Sequence, residues 1–131
     1  MAGYTLANLK EVEDQAPKFG HSPNLKARFA RVPLGLENSG LGYFRLAPNF
    51  RVPFGHKHPP QEEVDALLGG SARMKLDDGA IELKLWDAVC VPDGTIRDFK
   101  TGPKGAEYLA FGAPNTENRY AELAPPHRWA D

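Results

Sequence analysis

The stretch His56–Gly70 reads HKHPPQEEVDALLGG, and the interpretation of the whole chain depends on it. Side chains of an extended strand alternate between two faces, so His56 and His58 are predicted to project to the same side. Four residues separate His58 from Glu63, which opens an apolar run that ends at two glycines. If the strand of the histidines pairs with the strand of Glu63, two imidazoles and a carboxylate converge.

This spacing resembles the first motif of the cupins, which are small β-barrels of the double-stranded β-helix type. The motif consists of a His-x-His pair, a Glu and a Gly, and the matching residues here are His56, His58, Glu63 and Gly70. The resemblance therefore implies that the two histidines and Glu63 are metal ligands.

The second cupin motif resembles the stretch that begins at Trp86. Pro92 and Gly94 match the Pro-x-Gly of the motif. Trp86 stands where the motif has its first Gly, Arg97 stands where it has its His, and Thr101 stands where it has its Asn. Three of the usual four metal ligands are thus present, and a cation takes the place of the fourth.

The remaining pattern predicts an all-β chain, and the resemblance implies a cupin-like jelly-roll barrel. Short alternating segments recur every eight to twelve residues between Gly- and Pro-rich turns, which is typical of a sandwich or barrel. We expect a single domain over residues 1–131, with a barrel core at about 25–112 and an irregular tail at 113–131. Asn8 and Glu11 predict a short capped N-terminal helix. The tail is expected to dock along the barrel or on a partner chain.

Two glycine pairs are predicted to reverse the chain. Gly69 and Gly70 can adopt the positive φ angles of a tight turn, which predicts a hairpin between strands Glu63–Leu68 and Ala72–Leu76. A second turn is predicted at Gly102–Gly105.

Composition excludes several functions. The 131 residues carry a net charge of −1, which gives no basic face for nucleic acid. No apolar run approaches the roughly 20 residues that a membrane helix needs, and the N-terminus lacks the pattern of a signal peptide, so we expect a cytoplasmic protein without membrane association. The single cysteine, Cys90, cannot form an internal disulfide, which agrees with a reducing compartment.

A metal held by His56, His58 and Glu63 would be a divalent transition metal: zinc, iron, nickel or manganese accepts imidazole nitrogen and carboxylate oxygen. Two histidines and one carboxylate leave positions open for substrate. The alternative is a metal-free pocket in which these side chains hydrogen-bond to each other.

Arg97 and Asp65 are the candidate catalytic residues. A buried Arg97 guanidinium could hold an anionic substrate in two-point geometry, or it could only neutralise Glu63 or Asp65. Asp65 shares the face of Glu63; in a half-dry cavity its pKa would be raised, which suits a general acid or base. The alternative is an exposed Asp at a strand edge. Cys90 and Trp86 are expected in the core, and His21 and His127 are expected to be exposed.

Two functions remain open from the sequence. The first is a metal-dependent isomerase, lyase or oxygenase that acts on a small acidic or sugar-like substrate in the barrel. The second is a metal-free binding module that holds a small anion or sugar through Arg97 without catalysis. The resemblance also implies a homodimer, for which the segment Lys26–Val32 offers an uncovered sheet edge.

Overall fold

The computed structural model of the protein describes residues 3–53, 56–57, 61–77, 79–114 and 122–123. Within them the chain forms one sheet of eight strands, which confirms the all-β prediction. In chain order the strands are β1 (Leu25–Phe29), β2 (Gly40–Leu46), β3 (His56–Lys57), β4 (Glu62–Leu76), β5 (Gly79–Leu83), β6 (Ala88–Val91), β7 (Arg97–Ala113) and β8 (Glu122–Leu123).

The two longest strands form the central ribbon of the fold. β4 and β7 pair antiparallel over their whole length, from Glu62 opposite Ala113 to Leu76 opposite Arg97. One half of the ribbon is extended by β2 and β1 beside β7 and by β6 beside β4. The other half is extended by β5 beside β4 and by β3 beside β7.

The ribbon bends sharply at its middle, and this bend makes the barrel. Phe99 and Tyr108 both lie in β7, yet their rings stack with centroids 4.5 Å apart. Nine residues of flat strand would place them about 30 Å apart. The pairing of β4 with β7 shifts register at two points, between Leu67 and Gly69 and between Gly70 and Ala72. The two halves of the ribbon therefore face each other across one interior.

Both halves contribute to a single hydrophobic core. The core includes side chains from β1, β2, β4, β5, β6 and β7: Leu25, Leu46, Leu67, Met74, Leu83, Val91, Phe99 and Tyr108. The buried face of β4 changes parity at the bend, from Asp65 and Leu67 to Ala72 and Met74. Bulges of this kind redirect side chains without ending a strand.

The predicted hairpin at Gly69–Gly70 is wrong, and so is the predicted turn at Gly102–Gly105. Each glycine pair lies inside one continuous strand, β4 or β7, at the bend of the ribbon. Gly70 has φ +72°, and a Cβ there would lie 2.0 Å from the carbonyl oxygen of Gly105. The glycines are needed because the two strands approach closely where they bend, not because the chain reverses.

The predicted N-terminal helix is two separate 3₁₀ turns, Leu9–Glu11 and Ala16–Phe19. The Asn8 side chain accepts a hydrogen bond from the Lys10 N–H, so the cap is present although the helix ends within one turn. After β1 the chain forms a short helix, α1 (Arg31–Leu34), where an edge strand was expected. None of the helices in the described part of the chain is long and apolar enough to cross a membrane.

The edge of β1 is covered in part, contrary to the prediction of an open edge. The Gln15 N–H donates to the Ala27 carbonyl at 2.8 Å, and the Asp14 carboxylate accepts from the Ala27 N–H at 2.9 Å. The N–H and C=O groups of Ala27 are thereby covered by the N-terminal segment of the same chain.

The C-terminal tail is not irregular throughout. Glu122 and Leu123 form β8, which pairs with Lys57 and His56 of β3. This pairing confirms that the tail docks on the barrel at that point. Tyr120, Trp129 and His127 lie outside the described residues.

Candidate active site

Three of the buried charged side chains in the described part of the chain face the barrel interior. Glu63 and Asp65 project inward from β4, and Arg97 projects inward from β7 at the start of the opposing half. Their exposed fractions are 6% for Glu63, 1% for Asp65 and 0% for Arg97. The expectation of an exposed Asp65 at a strand edge is therefore wrong, because β6 and β7 flank β4 at that position on both sides.

Arg97 is held by the sheet and faces Glu63. Its backbone lies opposite Leu76 of β4 on one side and opposite His56 of β3 on the other. Its Nε lies 3.8 Å from Oε2 of Glu63, an ion pair too long to be a hydrogen bond. Among the described residues, no nitrogen of the guanidinium has a hydrogen-bond partner. Arg97 thus has donors in the interior that a bound anion could use.

Burial makes both acids costly to ionise. Burial raises the pKa of Glu63, and the Arg97 charge opposes this rise in part. Burial also raises the pKa of Asp65 well above its usual range; the Glu63 charge adds to the rise, while Arg97 opposes it. Within the described residues, neither Asp65 oxygen has a partner in good hydrogen-bond geometry.

Tyr108 lines the same interior and was not singled out by the sequence analysis. Its ring stacks on Phe99 at 4.5 Å and on Phe44 at 4.9 Å. Burial raises its pKa well above the usual range, and the charges of Asp65 and Glu63 raise it further. Its hydroxyl is consequently kept neutral and can donate a hydrogen bond. The change of parity at the bend of β7 hid this position from a period-two reading.

Gln61 is a second inward residue that the sequence analysis missed. It is 9% exposed, and its Nε2 lies 1.7 Å from where a Cβ on Gly112 would stand. Gly112 in turn lies opposite Glu63. The absence of a side chain at Gly112 therefore makes room for an amide beside the acids.

The charge balance of this interior suits a cation. Two buried carboxylates face one guanidinium, which leaves a formal excess of one negative charge when both acids are ionised. His56 belongs to β3, directly opposite Arg97, while His58 lies outside the described residues. The described residues contain no group of three or more potential metal ligands. The set His56, His58 and Glu63 therefore stays a prediction, and the acids that are described fit a divalent ion.

Thr101 holds backbone segments together and is not part of the interior site. Its hydroxyl donates to the Ala47 carbonyl at 2.6 Å and accepts from the Phe50 N–H at 2.9 Å. The segment before β3 is thereby tied to β7. At the position where the cupin motif has Asn, Thr101 thus connects the backbone near Ala47 and Phe50 to β7.

Trp86 and Cys90 are not in the core, contrary to prediction. Trp86 is 74% exposed and has φ +71°, the left-handed region that suits the Gly of the motif. Its N–H donates to the Leu67 carbonyl at 2.8 Å, which holds the turn against β4. Cys90 is exposed because it lies opposite Val64, on the outer face of β4.

Several solved structures match this chain, each at low sequence identity. A cupin protein from Bacteroides fragilis matches with a TM-score of 0.71 and 17% identity, over 92% of each chain. The polyketide cyclase RemF from Streptomyces resistomycificus matches with a TM-score of 0.72 and 20% identity, over 97% of this chain and 88% of that chain. Oxalate decarboxylase from Bacillus subtilis matches with a TM-score of 0.69 and 21% identity, over 87% of this chain and 31% of that chain.

Comparisons of sequence add no closer relative. No family model matches the chain, and no curated protein matches it either. The likeness to the solved structures therefore concerns the fold, and it agrees with the barrel described above.

Proposed function

Since the chain has the cupin fold, we propose that it binds a small molecule inside the barrel and that it is a metal-dependent enzyme of isomerase, lyase or oxygenase type. Its substrate is small and acidic or sugar-like. The observation that carries the proposal is the buried group Glu63, Asp65 and Arg97, in which the carboxyl oxygens of Asp65 and the guanidinium nitrogens of Arg97 have no hydrogen-bond partner among the described residues. Buried polar groups without partners cost free energy, so such groups point to a ligand.

Glu63, together with His56 and His58, would hold the metal. A bound divalent ion would act as a Lewis acid that polarises a substrate oxygen. The two buried carboxyl groups beside a single guanidinium support this assignment, because a bound cation would offset the cost of ionising both of them. Arg97 limits the affinity, because its positive charge lies 3.8 Å from Glu63.

Arg97 would anchor the substrate. Its guanidinium is fully buried and fixed by the pairing of β7 with β3 and β4. A carboxylate or phosphate could accept two parallel hydrogen bonds from it, which would set the orientation of the substrate as well as its affinity.

Asp65 would move a proton to or from the substrate. It is 1% exposed, it lies two residues from Glu63 on the same face, and its oxygens are without a partner among the described residues. The neutral hydroxyl of Tyr108 lies in the same interior and could donate a hydrogen bond to a substrate oxygen.

A second function is favoured by the ion pair between Arg97 and Glu63. In this alternative the guanidinium replaces the metal, and the barrel holds a small anion or sugar without turnover. A chelator then has no effect on ligand binding or thermal stability, whereas Arg97→Ala abolishes binding. In the enzyme, chelation weakens ligand binding and lowers the unfolding temperature, because an ion bound only by the folded state stabilises it.

Calorimetric titration with small dicarboxylates tests the proposal. Oxalate is a reasonable first probe, since one similar structure is named as an oxalate decarboxylase, and malonate tests tolerance of length. We expect Arg97→Gln to weaken binding by roughly tenfold or more, the loss of a charge-assisted pair. The control Arg51→Gln changes an exposed arginine and should bind as the native protein does. Equal binding by native protein and Arg97→Gln would contradict the assignment.

A further inference from the structure

A second concave site lies outside the barrel interior. It is a groove of about 310 Å³ on the outer face of the sheet, where β1, β2, β7 and β4 lie side by side. Three of the side chains that line it are cations: Lys26, Arg45 and Lys104. Among the described residues that line the groove, Glu107 is the one acid.

The sheet register fixes most of these charges in one row. Lys26 of β1 lies opposite Arg45 of β2, and Arg45 lies opposite Glu107 of β7. Glu107 in turn lies opposite Gly69 of β4. Directly opposed residues of antiparallel strands have Cβ atoms about 5 Å apart, so the side chains of Lys26 and Arg45 are neighbours. Lys26 and Arg45 are both exposed, whereas Leu25 and Leu46 beside them are buried.

The bend of the ribbon brings the third cation to the groove. Gly70 pairs with Ala106 and Ala72 pairs with Thr101, so β7 has four residues where β4 has only Ser71. These four residues form a bulge in β7, and Lys104 is one of them. The bulge packs against the end of β2, since a Cβ on Gly105 would lie 2.5 Å from the Leu46 carbonyl oxygen.

The acid in the groove is already engaged elsewhere. The Tyr43 hydroxyl donates a hydrogen bond to Oε2 of Glu107. Lys10 Nζ lies 3.9 Å from the same oxygen. By contrast, no ion pair joins Lys26, Arg45 or Lys104 to any residue in the described part of the chain. The groove therefore keeps a positive charge that its own acid does not neutralise.

We propose that this groove binds a small phosphorylated molecule. A phosphate group carries close to two negative charges at neutral pH and three acceptor oxygens. An arginine fork with two lysine ammonium groups matches both the charge and the number of acceptors. A cavity of this size is in the range of small-molecule sites, so it has room for an organic group attached to the phosphate.

Calorimetric titration with inorganic phosphate, glycerol 3-phosphate and glycerol tests this site, with backbone amide shifts to locate each ligand. We expect glycerol 3-phosphate to bind more tightly than inorganic phosphate and glycerol not to bind. The amides that shift should be those around Lys26, Arg45, Gly69 and Lys104. The variant Arg45→Gln/Lys104→Gln should weaken binding by roughly tenfold or more, because two charge-assisted contacts are lost.

Two controls separate this site from charge in general and from the barrel interior. Lys84→Gln removes one exposed cation from outside the groove and should change the affinity by less than about twofold. The position of the amide shifts separates the groove from the barrel interior, because a ligand in the interior would shift the amides around Asp65 and Phe99 instead. Absence of binding by the native protein, equal affinity of the double variant, or shifts confined to the barrel interior around Asp65 and Phe99 would overturn the proposal. Binding of inorganic phosphate as tight as that of glycerol 3-phosphate would overturn the assignment of an organic phosphate.

Discussion

Asp65 shows how one residue can be costly for folding and useful for function. Its carboxyl group is 1% exposed, beside a second carboxyl group, and neither oxygen has a partner among the described residues. An ionised group in that position lowers the free energy of unfolding unless a ligand compensates it. Proteins retain such groups mainly at sites that bind or react.

We predict that Asp65→Asn stabilises the metal-free protein by about 1–3 kcal/mol, because the folded state then no longer has to protonate, or bury ionised, a carboxyl group that the unfolded chain ionises freely. Urea unfolding in the presence of a chelator measures the change. Asp93→Asn, at an exposed turn, is the matched control and should shift the free energy of unfolding by less than about 0.5 kcal/mol. A less stable Asp65→Asn protein would show that the carboxylate has a stabilising partner.

Tyr43 gives a prediction for alkaline pH. Burial and the Glu107 carboxylate raise its pKa from 10.0 to about 12. Between these two values the folded protein keeps the proton that the unfolded chain releases, so the folded state binds more protons and stability falls as pH rises. Tyr43→Phe should reduce the loss of stability across this window. Tyr4→Phe, at a 77% exposed tyrosine, should keep the native pH dependence. Identical pH profiles for native protein and Tyr43→Phe would contradict this.

At the scale of the elements, the bend of the β4–β7 ribbon determines the architecture. It places Phe99 on Tyr108, it changes the buried parity of both strands, and it brings Arg97 to Glu63. The groove on the outer face lies at the same bend. One local feature therefore shapes both the interior site and the outer groove.

We predict that Gly70→Ala destabilises the protein by more than about 2 kcal/mol. Positive φ costs an L-residue roughly 1–2 kcal/mol, and here the added methyl group also meets the Gly105 carbonyl oxygen at 2.0 Å. Gly94→Ala separates the two effects, since Gly94 has φ +76° but open space around its Cβ position. Thermal and urea unfolding of both variants measures the difference. Equal losses for the two variants would mean that the close approach of β4 and β7 carries no cost.

The strands themselves were largely predictable from sequence, but their connections were not. The predicted strands Glu63–Leu68 and Ala72–Leu76 both lie within β4, and the cupin resemblance implied one barrel that contains Glu63 and Arg97. A glycine pair allows a reversal and a bulge equally, and only the pairing of β4 with β7 decides between them. Tyr108 was missed because the buried face of β7 changes parity at the bend. Trp86 was predicted to lie in the core, but it lies in a turn and is exposed.

At the scale of the whole molecule, the outer face has an apolar row across the ribbon. Val64 and Phe111 lie opposite each other and are 37% and 48% exposed. Leu41 flanks Phe111 on one side, and Cys90 flanks Val64 on the other. A row that spans four strands is a suitable surface for a second copy of the chain, now that the N-terminal segment is seen to cover part of the β1 edge.

We predict a homodimer whose mass by light scattering is twice the 14.4 kDa of one chain. Phe111→Glu should shift the equilibrium to monomer, because it places a charge in the middle of the apolar row. Ile81→Glu changes a residue of similar exposure on β5 and should leave the dimer intact. A native monomer would exclude the dimer, and a dimer insensitive to Phe111→Glu would place its interface elsewhere.

We propose that His56, His58 and Glu63 hold a metal in the barrel interior. Plasma mass spectrometry on untagged protein measures this directly, for the native chain, for His56→Ala/His58→Ala and for the control His21→Ala. We predict near-stoichiometric zinc, iron, nickel or manganese in the native protein and in His21→Ala, with loss of the metal in the double variant. A native protein without metal, or a double variant that keeps it, would contradict the claim and favour the Arg97-centred anion pocket.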